Sequence, residues 1–261
     1  MRVLVKLGGT LLDSAASRDS LAAQIAAARA GGAEITVVHG GGKQMTRFLA
    51  EHGISSQFVN GLRVTTPEIL DAVLKIFAGT VNHELVAALN RAGALAVGLT
   101  GIDAFLAEAE QMDAALGAVG RVTRSNPGLL HLLVANGYLP VVACVAGDRQ
   151  GRMYNVNADQ MAVACAAAFG AAQLIFLTDV EGVLDGEKRI RRLLTAAESG
   201  QLIADRIATG GMEAKLNAAI SALESGVGQV RIAPGTADGV LGRVLAGDDV
   251  GTRLVLNGVT A

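Results

Sequence analysis

The chain has 261 residues, 51% of them hydrophobic, with 22 Lys+Arg against 24 Asp+Glu. So even a charge balance argues against a polyanion-binding surface or a charged disordered tail, and no uninterrupted apolar run reaches the ~20 residues that span a bilayer. The length accommodates one large α/β unit or two modest lobes, and either buries a sizeable core.

In chain order, residues 3–7 predict a short strand with apolar residues on both faces, as in a sheet covered by helices on each side. Lys6 interrupts that run, and a lysine is almost never buried without something to pair its charge. Gly8-Gly9 follow at once, so the backbone either turns tightly or lets a ligand approach. A cation beside a glycine loop at the C-terminal end of a parallel strand stands where open α/β sheets bind ligands, and that ligand should be anionic. The alternative is a snorkelling Lys6 on an edge strand followed by a simple turn.

A helix over 17–30 ends at Gly31-Gly32, a strand covers 34–39, and Gly40-Gly41-Gly42 leads into a helix over 43–52. This β-α-β-α order predicts an α/β fold, a three-layer α/β/α sandwich around a mainly parallel sheet. Residues 57–64 read as a hairpin turning at Asn60-Gly61. Thr66 caps a helix with Pro67 at its first position. Ile69, Val73, Phe77, Val81, Leu85 and Leu89 continue at helical spacing, with a break expected near Gly79, and form either core or a dimer face.

Strands are expected over 95–99, 106–109, 118–122 and 139–145, with a helix over 127–136 closed by Gly137. A polar hairpin at 147–151 delivers Asn155, Asn157 and Asp159, which alternate along an extended segment and so share one side. An apolar helix over 161–169 ends at Gly170. A second lobe follows, with a strand over 173–178 and a loop Asp179-Val180-Glu181-Gly182-Val183-Leu184. Two helices around Gly210-Gly211, a strand over 229–233 and a closing helix complete it. Lobes 1–172 and 173–261 are expected to share one sheet, since no linker separates them.

Several sites are excluded. There is no P-loop and no G-x-G-x-x-G opening a helix. His39-Gly40-Gly41-Gly42 resembles an esterase oxyanion loop, but no G-x-S-x-G accompanies it. The four histidines show no zinc spacing, so no metal site is predicted and each histidine reads as packing or surface. Cys144 and Cys165 fit neither C-x-x-C nor zinc patterns and are expected to be buried, inert thiols. With no signal-peptide pattern at the N-terminus, a cytoplasmic protein is expected.

What remains is a set of glycine loops. Gly41-Gly42 both follow a strand and open a helix, where free N–H groups and the helix dipole favour an anion. Asn157 with Gln160 three residues on also resembles a plain capping box. Lys215, one turn into a helix behind Gly210-Gly211, could equally be a surface lysine.

K-L-G-G, V-V-H-G-G-G, N-G-L-R-V-T, N-G-Y-L-P-V-V, N-V-N-A-D-Q, L-T-D-V-E-G-V-L-D and G-G-M-x-x-K occur in this order across essentially the whole chain. Together they resemble the amino acid kinase family, and N-G-L-R-V-T favours its acetylglutamate-phosphorylating branch in arginine biosynthesis. The resemblance implies ATP-dependent phosphorylation of the γ-carboxylate of N-acetyl-L-glutamate, with Mg²⁺. By motif, Lys6 and Lys215 match the lysines that stabilise the transferring phosphoryl group, and Asp159 the carboxylate that orients both. Gly41, Gly42, Arg63 and Asn155 match the acetylglutamate contacts. Gly8, Gly9, the run Asp179, Val180, Glu181, Gly182, Val183 and Leu184, and Ile207, Ala208 and Thr209 match ATP-binding stretches.

Two departures fall near the expected acyl pocket. Ala143-Cys144-Val145-Ala146-Gly147 stands where the family has Val-Ser-Pro-Ile-Gly, and a family glycine is replaced within Thr100-Gly101-Ile102-Asp103-Ala104-Phe105. A kinase for a related acylated amino acid (carrier-linked aminoadipate or glutamate, or N-succinylglutamate) and a catalytically weak amino-acid sensor are the alternatives. Because the catalytic strand begins at Arg2, the resemblance further implies a homodimer without the extra helix of arginine-inhibited members. That dimer is expected on the stripe from Ile69 to Leu89, with no nucleic-acid or membrane partner.

Overall fold

The computed structural model describes residues 1–256. β1 (Arg2–Leu7) and β2 (Glu34–His39) bury every residue after their first, apart from the exposed edge at Arg2 and Glu34. Between them α1 (Ala15–Ala30) starts at Ser14, whose side chain accepts from the Ser17 N–H. α2 (Gly42–Glu51) rises directly out of the glycine loop after β2. In the hairpin of β3 (Phe58–Val59) and β4 (Leu62–Arg63), Asn60 and Gly61 take φ of 49° and 77°. That is the pair of left-handed residues this turn dipeptide supplies.

α3 (Pro67–Val73) is capped by Thr66, which accepts from the Ile69 N–H. The break expected at Gly79 does not occur. Instead Leu74–Val81 winds as a π-helix and runs straight into α4 (Asn82–Arg91). Ile69, Val73, Phe77, Val81, Leu85 and Leu89 are all buried, none more than 6% exposed. The stripe is therefore core within one protomer, and it is not free to form the dimer face. By length and composition the rod from Pro67 to Arg91 could cross a membrane, yet that apolar face is used up on α1, β5 and β8.

β5 (Ala96–Thr100), β6 (Ala107–Gln111), β7 (Val119–Ser125) and α5 (Gly128–Ala135) follow. The run 139–145, expected as one strand, divides at Cys144. β8 (Leu139–Ala143) stays in the main sheet, while β9 (Val145–Gly147) joins β6, β7 and β10 (Met153–Val156) in a small closed barrel. An apolar run carries no marker of such a change of sheet. α6 (Ala158–Phe169) ends at Gly170, which takes the left-handed conformation.

The remaining elements are β11 (Gln173–Thr178), β12 (Leu193–Thr195), α7 (Ala196–Ala204), α8 (Gly210–Glu224), β13 (Gln229–Pro234), α9 (Val240–Ala246) and β14 (Thr252–Val255). The last described element is thus a strand, where a helix was expected to close the chain. β12 and β14 escape a periodicity reading because each has only three or four residues beside arginines. All the main strands form one eight-stranded sheet, in the order β12-β14-β13-β11-β1-β2-β8-β5. It is parallel from β13 to β5, and β14 runs antiparallel to β13. One set of helices packs α1 on α4 and α9, the other α8 on α6 and α7, completing the α/β/α sandwich.

Candidate active site

Lys6 sits near the C-terminal end of β1, in register with Val38 on β2 and Phe176 on β11. An interior strand cannot let a lysine snorkel, and Lys6 is only 6% exposed. Its ammonium meets Asp159 Oδ1 at 2.6 Å, and the Lys215 ammonium stands 3.8 Å from Oδ2 of the same carboxylate. Lys215 is accordingly no surface lysine. Asp159 lies in the first turn of α6, where Asn157 caps the helix by accepting from the Asp159 and Gln160 N–H groups. Burial pushes the Asp159 carboxyl up, but the two lysines outweigh it and hold the group below the usual carboxylate range. Two cations on one anion leave net positive charge for a further anion.

Two glycine loops face each other beside this cluster. A Cβ on Gly9 would lie 3.3 Å from the Gly42 N and 3.9 Å from the Lys43 N. It would fill the space onto which the unpaired first-turn donors of α2 open. Gly8 is spent differently, its N–H donating to the Leu177 carbonyl at 2.9 Å. At Gly41 a Cβ would come within 2.8 Å of the Phe77 ring, so the π-helical stretch presses directly on the loop. Below, His39 is fully buried and Nδ1 meets the Gly40 carbonyl at 2.8 Å, so Nδ1 carries the proton and donates. Nε2 then accepts from Asn82 Nδ2 at 2.9 Å. Burial, only partly offset by the Gly40 bond, pushes the imidazole pKa down to about 4. His39 is a neutral strut, fixing the carbonyl of the loop's first glycine.

Lys6, Gly9, Gly41, Gly42, Arg63 and Asn155 line one cavity of about 440 Å³, with Cys144 in its wall. Arg63 is 8% exposed. Its guanidinium donates to Ser56 Oγ at 2.5 Å and Thr46 Oγ1 at 2.8 Å and stacks over Phe58. Burial pushes it below its ordinary pKa. Among the described residues no carboxylate pairs with it, so this is a held, desolvated cation of the kind that recognises a carboxylate. Asn155 is fixed by a bond from Nδ2 to Thr65 Oγ1 at 3.1 Å. Asp159 and Lys215 also line a second cavity of about 970 Å³ between α6 and α8, and the hairpin residues Gly61 and Leu62 border both spaces. Cys144 and Cys165 are buried thiols whose pKa burial raises to about 12.

The stretches carrying Asp179 to Leu184 and Ile207 to Thr209 line neither cavity. Burial raises the Asp179 carboxyl, but hydrogen bonds that include Thr178 and Thr10, with the Lys215 charge, bring it below its usual range. That residue adjoins the lysine cluster. Val180, Leu184 and Ile207 are exposed at 37%, 45% and 41%, and a Cβ on Gly186 would lie 3.6 Å from Ile207 Cδ1. All three are apolar side chains open to solvent. Glu181 is exposed as well, whereas Val183 and Ala208 are buried. Gly182 takes φ 155° beside Thr252, and Thr209 precedes α8 without capping it.

Sequence reasoning missed Thr46, Ser56 and Phe58, which hold Arg63, and Asn82, which holds His39. Only Thr46, one turn after Gly42, had a positional signal. The described residues hold no cluster of three metal-ligating side chains, and Asp159 is occupied by two lysines. The donor set does not fit a protein-held Mg²⁺, so the ion would enter on the nucleotide phosphates.

A doubly wound sheet that gathers two lysines onto one carboxylate beside an open helix start has the make-up of a phosphotransferase. The chain belongs to the amino acid kinase family, whose sequence profile matches residues 1–234. It is 75% identical to the acetylglutamate kinase of Solibacter usitatus (strain Ellin6076) over 98% of this chain and 99% of that one. It is 42% identical to the acetylglutamate kinase of Geobacillus kaustophilus (strain HTA426), over 89% and 90% of the two chains. Among solved structures, carbamate kinase from Giardia lamblia bound to AMP-PNP shares the fold, with a TM-score of 0.75 at 18% identity over 98% of both chains.

Proposed function

We propose that this protein catalyses ATP-dependent phosphorylation of the γ-carboxylate of N-acetyl-L-glutamate in arginine biosynthesis. The observation that carries this reading is that one cavity is lined both by the Arg63 guanidinium, which no carboxylate among the described residues pairs, and by Lys6, whose ammonium is paired to Asp159. One end binds a carboxylate that does not react. The other stabilises the phosphoryl group in flight. The kinship with acetylglutamate kinases supports the acyl substrate.

In the proposed reaction a γ-carboxylate oxygen forms a bond to the γ-phosphorus of ATP while the bond to the β–γ bridging oxygen breaks, releasing ADP and an acyl phosphate. The nucleophile is already ionised at neutral pH, so no general base is needed. This agrees with a site whose histidine is a buried strut and whose one central carboxylate is held ionised by lysines. Lys6 and Lys215 neutralise charge on the transferring group, and Asp159 fixes both across the cavity. The α2 donors behind Gly41 and Gly42 hold phosphoryl oxygens. Val180, Leu184 and Ile207 offer a nucleotide base its apolar face. Magnesium arrives with ATP, and no step here is assigned to it.

We divide the labour near residue 172, with acyl-amino-acid binding before it and ATP binding after it. We further infer a cytoplasmic homodimer whose activity arginine does not change. With the Ile69–Leu89 stripe buried, the dimer is supported instead by the exposed edge strand β5 and its neighbours Leu95 (60%) and Tyr138 (42%). A coupled ADP-release assay with acetylglutamate, glutamate, aspartate and carbamate tests the reading. Acetylglutamate should turn over and free glutamate hardly at all, since its ammonium would be brought beside Arg63. Equal kcat/KM for the two sinks it.

A further inference from the structure

Thr65 is fully buried and takes no part in the chemistry above. Its environment joins three pieces of the acyl site. Its N–H donates to the Leu116 carbonyl at 2.9 Å and its carbonyl accepts from the Ala118 N–H at 2.7 Å, tying the foot of the hairpin to the barrel. The Ala118 carbonyl in turn accepts from the Asn155 N–H at 2.9 Å. The fit is close: a Cβ on Gly117, which takes φ 66°, would lie 2.3 Å from the Thr65 carbonyl oxygen. The Thr65 hydroxyl donates to the Arg63 carbonyl at 2.8 Å and receives Asn155 Nδ2 at 3.1 Å. One side chain therefore touches both residues of the substrate-carboxylate end.

The direction of these bonds follows from counting protons. A hydroxyl has one hydrogen and two lone pairs. That hydrogen is committed to the Arg63 carbonyl, which can only accept. Toward Asn155 the oxygen can then only accept, so Asn155 must present its amino group. The amide cannot flip without setting two acceptors against each other. Asn155 Oδ1 is thereby left over, and among the described residues nothing donates to it. Beside a guanidinium that takes a carboxylate, a fixed carbonyl oxygen fits one neighbour in particular, a secondary amide N–H on the adjacent carbon. That is the group distinguishing an acylated α-amino acid from an ester or keto analogue.

We propose that Thr65 is a positioning residue that locks the Asn155 amide with Oδ1 toward the ligand, and so selects substrates bearing an acylated α-nitrogen. This rests on the acyl-amino-acid kinase reading above.

The test uses purified full-length protein with acetylglutamate and its ester analogue, 2-acetoxyglutarate, which keeps both carboxylates but lacks the N–H. Wild type should prefer the amide by roughly tenfold or more in kcat/KM, the worth of one fixed hydrogen bond. Thr65→Val keeps the shape and removes the hydroxyl. It should raise KM for acetylglutamate about tenfold with KM for ATP unchanged, and should shrink the amide-to-ester preference toward unity. Thr65→Ser should restore both values. A Thr65→Val enzyme that keeps the full amide-to-ester preference overturns the proposal, as does one that loses kcat for both substrates equally. If Thr65→Val and Thr65→Ala fail to fold by circular dichroism while Thr65→Ser folds, the hydroxyl serves the fold and the proposal falls. Absence of acetylglutamate turnover in wild type would instead refute the kinase reading itself.

Discussion

The two ends of the site are built differently. At the proposed acyl end three groups are held in place by the protein itself: Arg63 by two hydroxyls and an aromatic face, the Asn155 side chain by Thr65, and the Gly40 carbonyl by His39. At the nucleotide end the residues are largely exposed, with apolar side chains over an open surface. A preorganised site discriminates between small ligands, because wrong partners leave its buried groups unpaired. An open, apolar one takes a large, common ligand and asks little of its outline. On the proposed reading, specificity accordingly resides at the acyl end.

The lysine cluster spans both ends, so breaking it should cost most. Lys6→Ala and Lys215→Ala should each lower kcat roughly 10²–10⁵-fold, and Asp159→Asn should also depress kcat while circular dichroism stays native. Either alanine variant retaining more than about a tenth of wild-type kcat would remove that lysine from the mechanism.

Next, the contrast itself can be measured. Arg63→Ala removes a buried charge contact of about 2–5 kcal/mol and should raise KM for acetylglutamate by roughly 30-fold or more with kcat less affected. Ile207→Ala trims one face of an exposed apolar surface and should raise KM for ATP only a few-fold, at ~1 kcal/mol. Comparable losses from both would show that the nucleotide end is as tightly organised as the acyl end.

Acid sharpens the comparison through His39. The unfolded chain takes up the histidine proton near pH 6.5, while the buried imidazole refuses it until about 4. Stability should therefore be full above pH 6.5 and fall as pH drops toward 4, by about 3 kcal/mol. Asp159, whose folded pKa is depressed, acts in the same sense lower still, once its carboxylate protonates. Urea midpoints at pH 7 and pH 4.5 measure the change, and a flat profile would mean that His39 is not sealed.

The smallest effect lies at the rim of the barrel. Ala104 and Phe105 take φ of 51° and 54° in the short turn that precedes β6. A left-handed non-glycine residue costs about 1–2 kcal/mol. Glycine's greater freedom in the unfolded chain offsets roughly 0.5–1 kcal/mol of that, so Ala104→Gly should raise Tm by roughly 2–4 °C at most. KM for acetylglutamate should not move, since the pocket is braced elsewhere. A lower Tm would place the strain outside this residue.

These residues also show what a sequence discloses. Strand–helix alternation and the glycine loops were legible because they are local: the 34–39 and 173–178 strands fall where apolar runs and turn residues placed them. Lys6 was legible as an anomaly, a charge in an apolar strand. The division at Cys144 was not, since a strand leaving one sheet for another keeps the same apolar pattern. The π-helical stretch was hidden for a similar reason: Gly79 signals weakness in a helix but not its winding. Ser56 and Thr65 were silent because a hydroxyl declares its role only when its partner, distant in sequence, is in place. The stripe from Ile69 to Leu89 could be read as core or interface, and only burial decided between them.

The position of β1 also governs how this molecule is made. Its five paired residues face β11, whose nearest register partner to Val3 is Gln173. A ribosome must therefore deliver some 170 further residues before the first strand is enclosed on both edges. Until then β1 presents an apolar, unpaired border, the kind of surface on which nascent chains aggregate or recruit chaperones. Sequence-distant pairing of this kind also slows folding. Lys6, made first, thus waits longest for its surroundings, and activity should emerge late in refolding, well after helical signal has returned.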